Sequence, residues 1–109
     1  MNYQHQNLAA GDWQAMSFIK QMAHIGSEVS RALNWREKNP VYSRMAIDRI
    51  LELIDLTIAD PQNHKRGKEL WRTREAITDF FYFDNQFGSS ERSWRRYFDA
   101  FAYAANLNQ

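Results

Sequence analysis

Two groups of side chains in this sequence have the types and spacing to do chemistry. The first is a set of charges set among apolar neighbours: Glu28, Arg31, Asp55, Arg74, Glu75 and Asp79. Asp55 is the oddest of them, because Leu53, Ile54, Leu56 and Ile58 surround it in the chain. A carboxylate taken into a helical core is tolerable only when it is paired and hydrogen-bonded, and a two-pronged arginine does that best. The second group is Arg92, Arg95 and Arg96 interleaved with Trp94 and Tyr97, a mixture of positive charge and rings suited to phosphates and stacked bases.

The charged group supports three readings. His24, Glu28, Arg31 and Trp35 recur at helical spacing and so share one strip of a helix, and Arg72, Glu75 and Asp79 repeat the idea later in the chain. Joined through Asp55 and Arg74, they predict a buried ion-pair network that sets helix register at little net gain in stability. On that reading Asp55 is buried and ion-paired, and Asp55→Ala is costly because it strands an arginine. The second reading is a polar pocket for a ligand or metal, and the third is a solvated face. A magnesium-dependent nucleotide hydrolase would use Glu52 with Asp55 and Glu75 with Asp79 as paired carboxylates. Against it, Glu52 and Asp55 alternate with leucines, and Arg72 and Arg74 compete as counter-ions. There is no Glu-x-x-His motif, no glycine-rich phosphate loop and no cysteine, so no catalytic residue, metal ligand or cofactor is expected.

The elements that must hold these groups are helical. Phe18, Met22, Ile25, Val29 and Leu33 recur every three or four residues, which predicts a first helix from an N-cap at Asp12 to about Lys38. Gly26 interrupts that helix at a cost of about 1 kcal/mol, for which close approach by another helix is the compensation. Asn39-Pro40 ends it. A second helix follows over 41–59, with Ile47, Ile50, Leu51, Ile54 and Ile58 on one face. Asp60-Pro61-Gln62-Asn63 then makes a turn in which the Asp and Asn side chains bond nearby backbone. After the basic run His64 to Lys68, a third helix carries Leu70, Trp71, Ile77 and Phe81 as far as Phe83. Ser89 or Ser90 caps a fourth, which carries Trp94, Tyr97, Phe98 and Phe101. The prediction is an all-α fold, a four-helix up-down-up-down antiparallel bundle over residues 12–109, preceded by a flexible polar tail over 1–11.

A chain of 109 residues fits one domain. The formal net charge of +1 offers no chain-wide attraction for nucleic acid or an anionic membrane, so nucleic-acid contact would depend on the local arginine cluster. The absence of cysteine, of a secretory leader pattern and of any apolar run near ~20 residues leads to the expectation of a cytoplasmic protein with no membrane partner. Aromatic residues reach 15% and gather in the second half. They cannot all face one core, and rings and arginines are enriched where proteins meet. The leading expectation is therefore a non-catalytic interaction domain, a homodimer or partner-binding protein, built on the third and fourth helices. Its surface would comprise Arg92, Trp94, Arg95, Arg96, Tyr97 and Tyr103.

Three blocks, Arg31-Ala-Leu-Asn-Trp-Arg-Glu-Lys38, Leu51 through Asp60, and Phe87-Gly-Ser-Ser followed by Trp94-Arg-Arg-Tyr-Phe98, resemble a group of small uncharacterised prokaryotic all-helical proteins. The helix number and size also resemble the HEPN class of four-helix bundles. That resemblance implies a ligand- or nucleic-acid-binding domain that pairs with a nucleotidyltransferase, or an RNase. The RNase branch of the class places an arginine about one helical turn before a histidine, and none of His5, His24 or His64 has an arginine so placed.

Overall fold

The computed structural model describes residues 10–107, and every regular element among them is helical. Helix α1 covers residues 10–15, α2 Phe18–Trp35, α3 Pro40–Ala59, α4 Gly67–Tyr82 and α5 Glu91–Leu107; a 3-10 segment, Pro61–Arg66, leads into α4. The expected tail lies outside the described residues up to residue 9, while residues 10 and 11 already belong to α1.

Five helices rather than four is a correction to the expected count, and the extra one comes from a break at Ser17. The predicted helix starting at Asp12 is divided there. The Met16 amide closes α1 by donating to the Trp13 carbonyl at 3.1 Å. Ser17 is extended (φ −67°, ψ 160°), and its Oγ accepts the Lys20 amide at 3.2 Å to cap α2. A serine that bonds the backbone locally competes with helix continuation, and the change of direction carries Trp13 back onto the core, where it is buried. Asp12, the expected cap, is an exposed residue within α1.

The later boundaries follow the sequence more closely. Asn39 caps α3 through its Oδ1, with Pro40 at the first turn, where its missing N–H costs nothing. Ser90 and Ser93 cap α5 reciprocally: each backbone amide donates to the other's hydroxyl, at 2.9 and 3.0 Å. The α4–α5 connection holds Asn85 (φ 54°) and Gly88 (φ 68°), each in the left-handed region. Asp79 secures it, accepting the Phe83 and Asn85 amides on its carbonyl and the Phe87 amide on Oδ2.

Helix α2 meets both α3 and α5 with numbering that runs in opposite directions. Ser43 Oγ donates to the Ala32 carbonyl, while Gln21 meets Asp60 at the other end of the α2–α3 pair. Between α2 and α5, Arg95 reaches Asn34, Phe98 packs on Gly26 and Phe101 on Phe18. On α3 and α4, Asp55 pairs with Arg74, and Tyr97 of α5 bonds Glu69 of α4. The core is drawn from all four: Met22, Ile25, Val29 and Leu33; Ile47, Ile50 and Ile54; Leu70 and Ile77; Trp94 and Phe98. Gly26 is the close approach its position demanded, since a Cβ there would lie 2.8 Å from Phe98 Cβ.

Candidate functional site

The six charges expected to form one buried network are distributed over separate places. Arg74 does engage Asp55 in the two-pronged geometry, Nε to Oδ1 at 2.8 Å and Nη2 to Oδ2 at 3.4 Å. The expectation that Asp55 is buried is wrong: its side chain is 54% exposed. The buried face of α3 is Ser43, Ala46, Ile47, Ile50, Leu53, Ile54 and Thr57. Asp55 lies 100° around the helix from Ile54, beside the exposed positions Asp48 and Ala59. An exposed pair of this kind contributes at most about 1 kcal/mol. Asp55→Ala is therefore expected to lower stability by less than about 1 kcal/mol, and less again at high salt; urea unfolding at two ionic strengths checks this.

Glu28 and Arg31 sit elsewhere, 3.9 Å apart on α2. Glu75 is exposed and makes no ion pair among the described residues, and Asp79 is occupied by the α4–α5 connection. The carboxylates of the hydrolase reading are likewise separated in role. Glu52 is held by Arg49 at 2.6 Å and Asp55 by Arg74. Among the described residues no three His, Asp or Glu side chains gather where a metal ion could be held.

The polar cluster that the core does bury is one the charge pattern missed. Gln21, Thr57, Asp60 and Asn63 are all buried where α1, the start of α2, the end of α3 and the 3-10 segment converge. Gln21 Nε2 donates to Asp60 Oδ2 at 2.7 Å and to the Trp13 carbonyl at 2.8 Å. Asn63 Nδ2 donates to Gln21 Oε1 and to the Thr57 carbonyl, each at 2.9 Å. Trp13 Nε1 donates to Thr57 Oγ1 at 2.9 Å. Burial pushes the Asp60 carboxyl up, but the hydrogen bonds from the Gln62 and Gln21 side chains and the Gln62 amide outweigh it and hold it below the ordinary aspartate value. A signal was present: Gln21 is four residues before Ile25, and Thr57 three after Ile54, so both lie in phase with an apolar stripe.

The arginine and aromatic set on α5 divides. Trp94 is buried, stacked on Phe98 with centroids 6.1 Å apart, so it is core rather than docking surface. Arg95 is engaged with Glu91 on its own helix and with Ser30 and Asn34 of α2. Tyr97 is half-buried and donates to Glu69 Oε2 at 3.0 Å. Burial raises its hydroxyl above the usual tyrosine value, and the Glu69 charge adds to this against a lowering hydrogen bond from Thr73. Arg92, Arg96 and Tyr103 remain exposed.

A group of exposed apolar side chains lies on other helices. A groove of about 470 Å³ between α2 and α3 is lined by Glu28, Arg31, Trp35, Tyr42, Met45 and Arg49. Trp35 and Tyr42 meet edge to face, centroids 5.1 Å apart, and Met45 and the adjacent Val41 are each about two-thirds exposed. No protein-family model, curated protein or solved structure matches the chain. Among the described residues no helix is long and apolar enough to cross a membrane.

Proposed function

We propose that this chain is a non-catalytic helical interaction domain that pairs with a second copy of itself across the α2–α3 face. In this reading the four long helices form the antiparallel up-down-up-down bundle, and α1 is an added turn that closes one end. The observation that carries the proposal is the groove between α2 and α3, with Trp35, Tyr42 and Met45 exposed together along it. Aromatic and methionine side chains gathered in this way are the usual anchors of protein interfaces.

A second copy suits the face because its charges balance. Glu28, Arg31 and Arg49 line the groove and Glu52 pairs with Arg49, so the face carries two acids and two bases. A two-fold axis passing between the acids and the bases can set an acid of one copy against a base of the other, as a self-complementary interface requires. The surface expected on the third and fourth helices, now α4 and α5, is less suitable, since Trp94 is buried and Arg95 is committed to α2.

The proposal is tested by sedimentation equilibrium on the full chain. The wild type is expected to be a dimer. Tyr42→Glu and Met45→Glu, both at exposed positions, are expected to be folded monomers. A wild type that stays monomeric at about 1 mM, or glutamate variants that remain dimeric, would overturn it.

A further inference from the structure

A second groove lies between α4 and α5, away from the α2–α3 face. It has a volume of about 300 Å³, at the lower end of the range that takes small ligands, and Arg72, Phe87, Ser89 and Trp94 are among its lining residues. Past Ser93 and Tyr97 it continues into a second depression bordered by Arg92 and Arg96.

Three features of this groove are not accounted for by the fold. Arg72, Arg92 and Arg96 are exposed, and among the described residues none of them makes an ion pair, although the nearby Arg95 is fully engaged. Among the acids nearby, Glu91 is taken by Arg95 and Glu69 by the Tyr97 hydroxyl, while Asp99, beside Arg92 and Arg96, and Glu75, one turn from Arg72, are exposed and make no ion pair among the described residues. Trp94 is 7% exposed and lines the groove, and its Nε1–H, itself buried, has no acceptor among the described residues. A buried donor left unmatched costs free energy. Finally, Phe87 stands on the connection at the rim with more than half its surface exposed, held in place by the Asp79 bond to its own amide.

We infer that this groove binds a nucleoside monophosphate, with the phosphate among Arg72, Arg92 and Arg96 and the base against Phe87. Guanidinium groups match phosphate geometry in pairs. An exposed phenylalanine provides a stacking surface for any base. The overall charge of +1 favours a ligand with one phosphate over a long strand, whose binding depends on many phosphate contacts. None of these side chains lines the α2–α3 groove, so the inference stands apart from self-association.

Titration calorimetry of the full chain with AMP, inorganic phosphate and a uridine hexanucleotide tests it. AMP is expected to bind with a dissociation constant below about 1 mM, at least tenfold tighter than phosphate alone. Arg72→Gln and Arg96→Gln are each expected to weaken AMP about fivefold or more, as is Phe87→Ala. Arg44→Gln, the same charge change on α3, is expected to leave binding unaltered. The positions changed are exposed, and circular dichroism confirms the fold of each variant. The inference is overturned if AMP does not bind at millimolar concentration, if the Arg72 and Arg96 variants bind as well as wild type, or if phosphate matches AMP. A hexanucleotide more than tenfold tighter than AMP would overturn the mononucleotide assignment in favour of a strand.

Discussion

Gly26→Ala is expected to destabilise the protein by about 1–3 kcal/mol, even though it replaces a poor helix former with the best one. In the interior of an exposed helix the same change would add about 1 kcal/mol of stability. Here the new methyl would lie 2.8 Å from Phe98 Cβ, 3.2 Å from its Cγ and 3.3 Å from its Cδ1. Carbon atoms are comfortable at about 3.5–4.0 Å. Both Cβ positions are fixed by their backbones, so rotating the phenylalanine ring does not relieve the nearest contact. Helices α2 and α5 must move apart by roughly 1 Å, which loosens the packing around Phe98 and the neighbouring Ile25 and Val29. Shortening Phe98 is no remedy, because any residue but glycine keeps the Cβ that is met. Phe98→Ala alone is expected to cost about 3–5 kcal/mol as a cavity, and the double variant to be no more stable than that single one. Thermal unfolding is the measurement, and a Gly26→Ala midpoint lower by roughly 5–15 °C is expected at this chain length. An unchanged or raised midpoint would show that α2 and α5 do not approach this closely in solution.

Gly26 also shows what kind of information the sequence carried well. A glycine within a sustained apolar period is a local contradiction, and the only inexpensive resolution is close contact with another helix. The same logic read the Asn39-Pro40 stop, the Ser90 cap and the stripe from Met22 to Leu33, all of which depend on residues within one turn of each other. Asp55 misled because its apolar neighbours in the chain were weighed without their phase. Leu51, Leu56 and Ile58 are only partly buried and spread around α3, so the acid among them faces water. The split at Ser17 had no proline or glycine to announce it; it depends on Trp13 finding Thr57, forty-four positions away. The fold class and most helix ends were thus legible, while the grooves were not. A groove is defined by which helices become neighbours, and the pairing of α2 with both α3 and α5 is a tertiary outcome that no local spacing encodes.

The second large effect is expected at Asp60, where an almost isosteric change should cost about 2–4 kcal/mol. Both carboxylate oxygens of this buried side chain accept. Oδ1 takes the Gln62 amide at 3.1 Å, and Oδ2 takes the Gln21 and Gln62 side-chain amides at 2.7 and 2.8 Å. In Asp60→Asn one oxygen becomes an NH2 group, and whichever way the amide turns, that group faces a donor. Gln62 is exposed and its side chain can swing into water, but Gln21 is fully buried and cannot. With the NH2 in the Oδ2 place, Gln21 loses its acceptor, which loosens Asn63, Trp13 and, through them, the seat of α1; with it in the Oδ1 place, the Gln62 backbone amide that caps the 3-10 segment is stranded instead. The charge has a pH signature of its own. Because the folded-state carboxyl titrates below its ordinary value, near 3.9 in an unfolded chain, its contribution is fully present above that pH and is lost as pH falls through the folded value. Wild-type stability is therefore expected to decline with acidification below about pH 4, partly through Asp60. Asp60→Asn should be less stable than wild type at pH 7 and should show a shallower decline below pH 4, since one of the protonations that drives it has been removed. Urea unfolding of both proteins between pH 7 and pH 3 measures the two effects together. Parallel pH profiles would mean that the carboxylate is not held by these hydrogen bonds, and equal stability at pH 7 would mean that Gln21 finds another acceptor. A loss at pH 7 together with convergence in acid is the result that the convergence of donors on Asp60 requires.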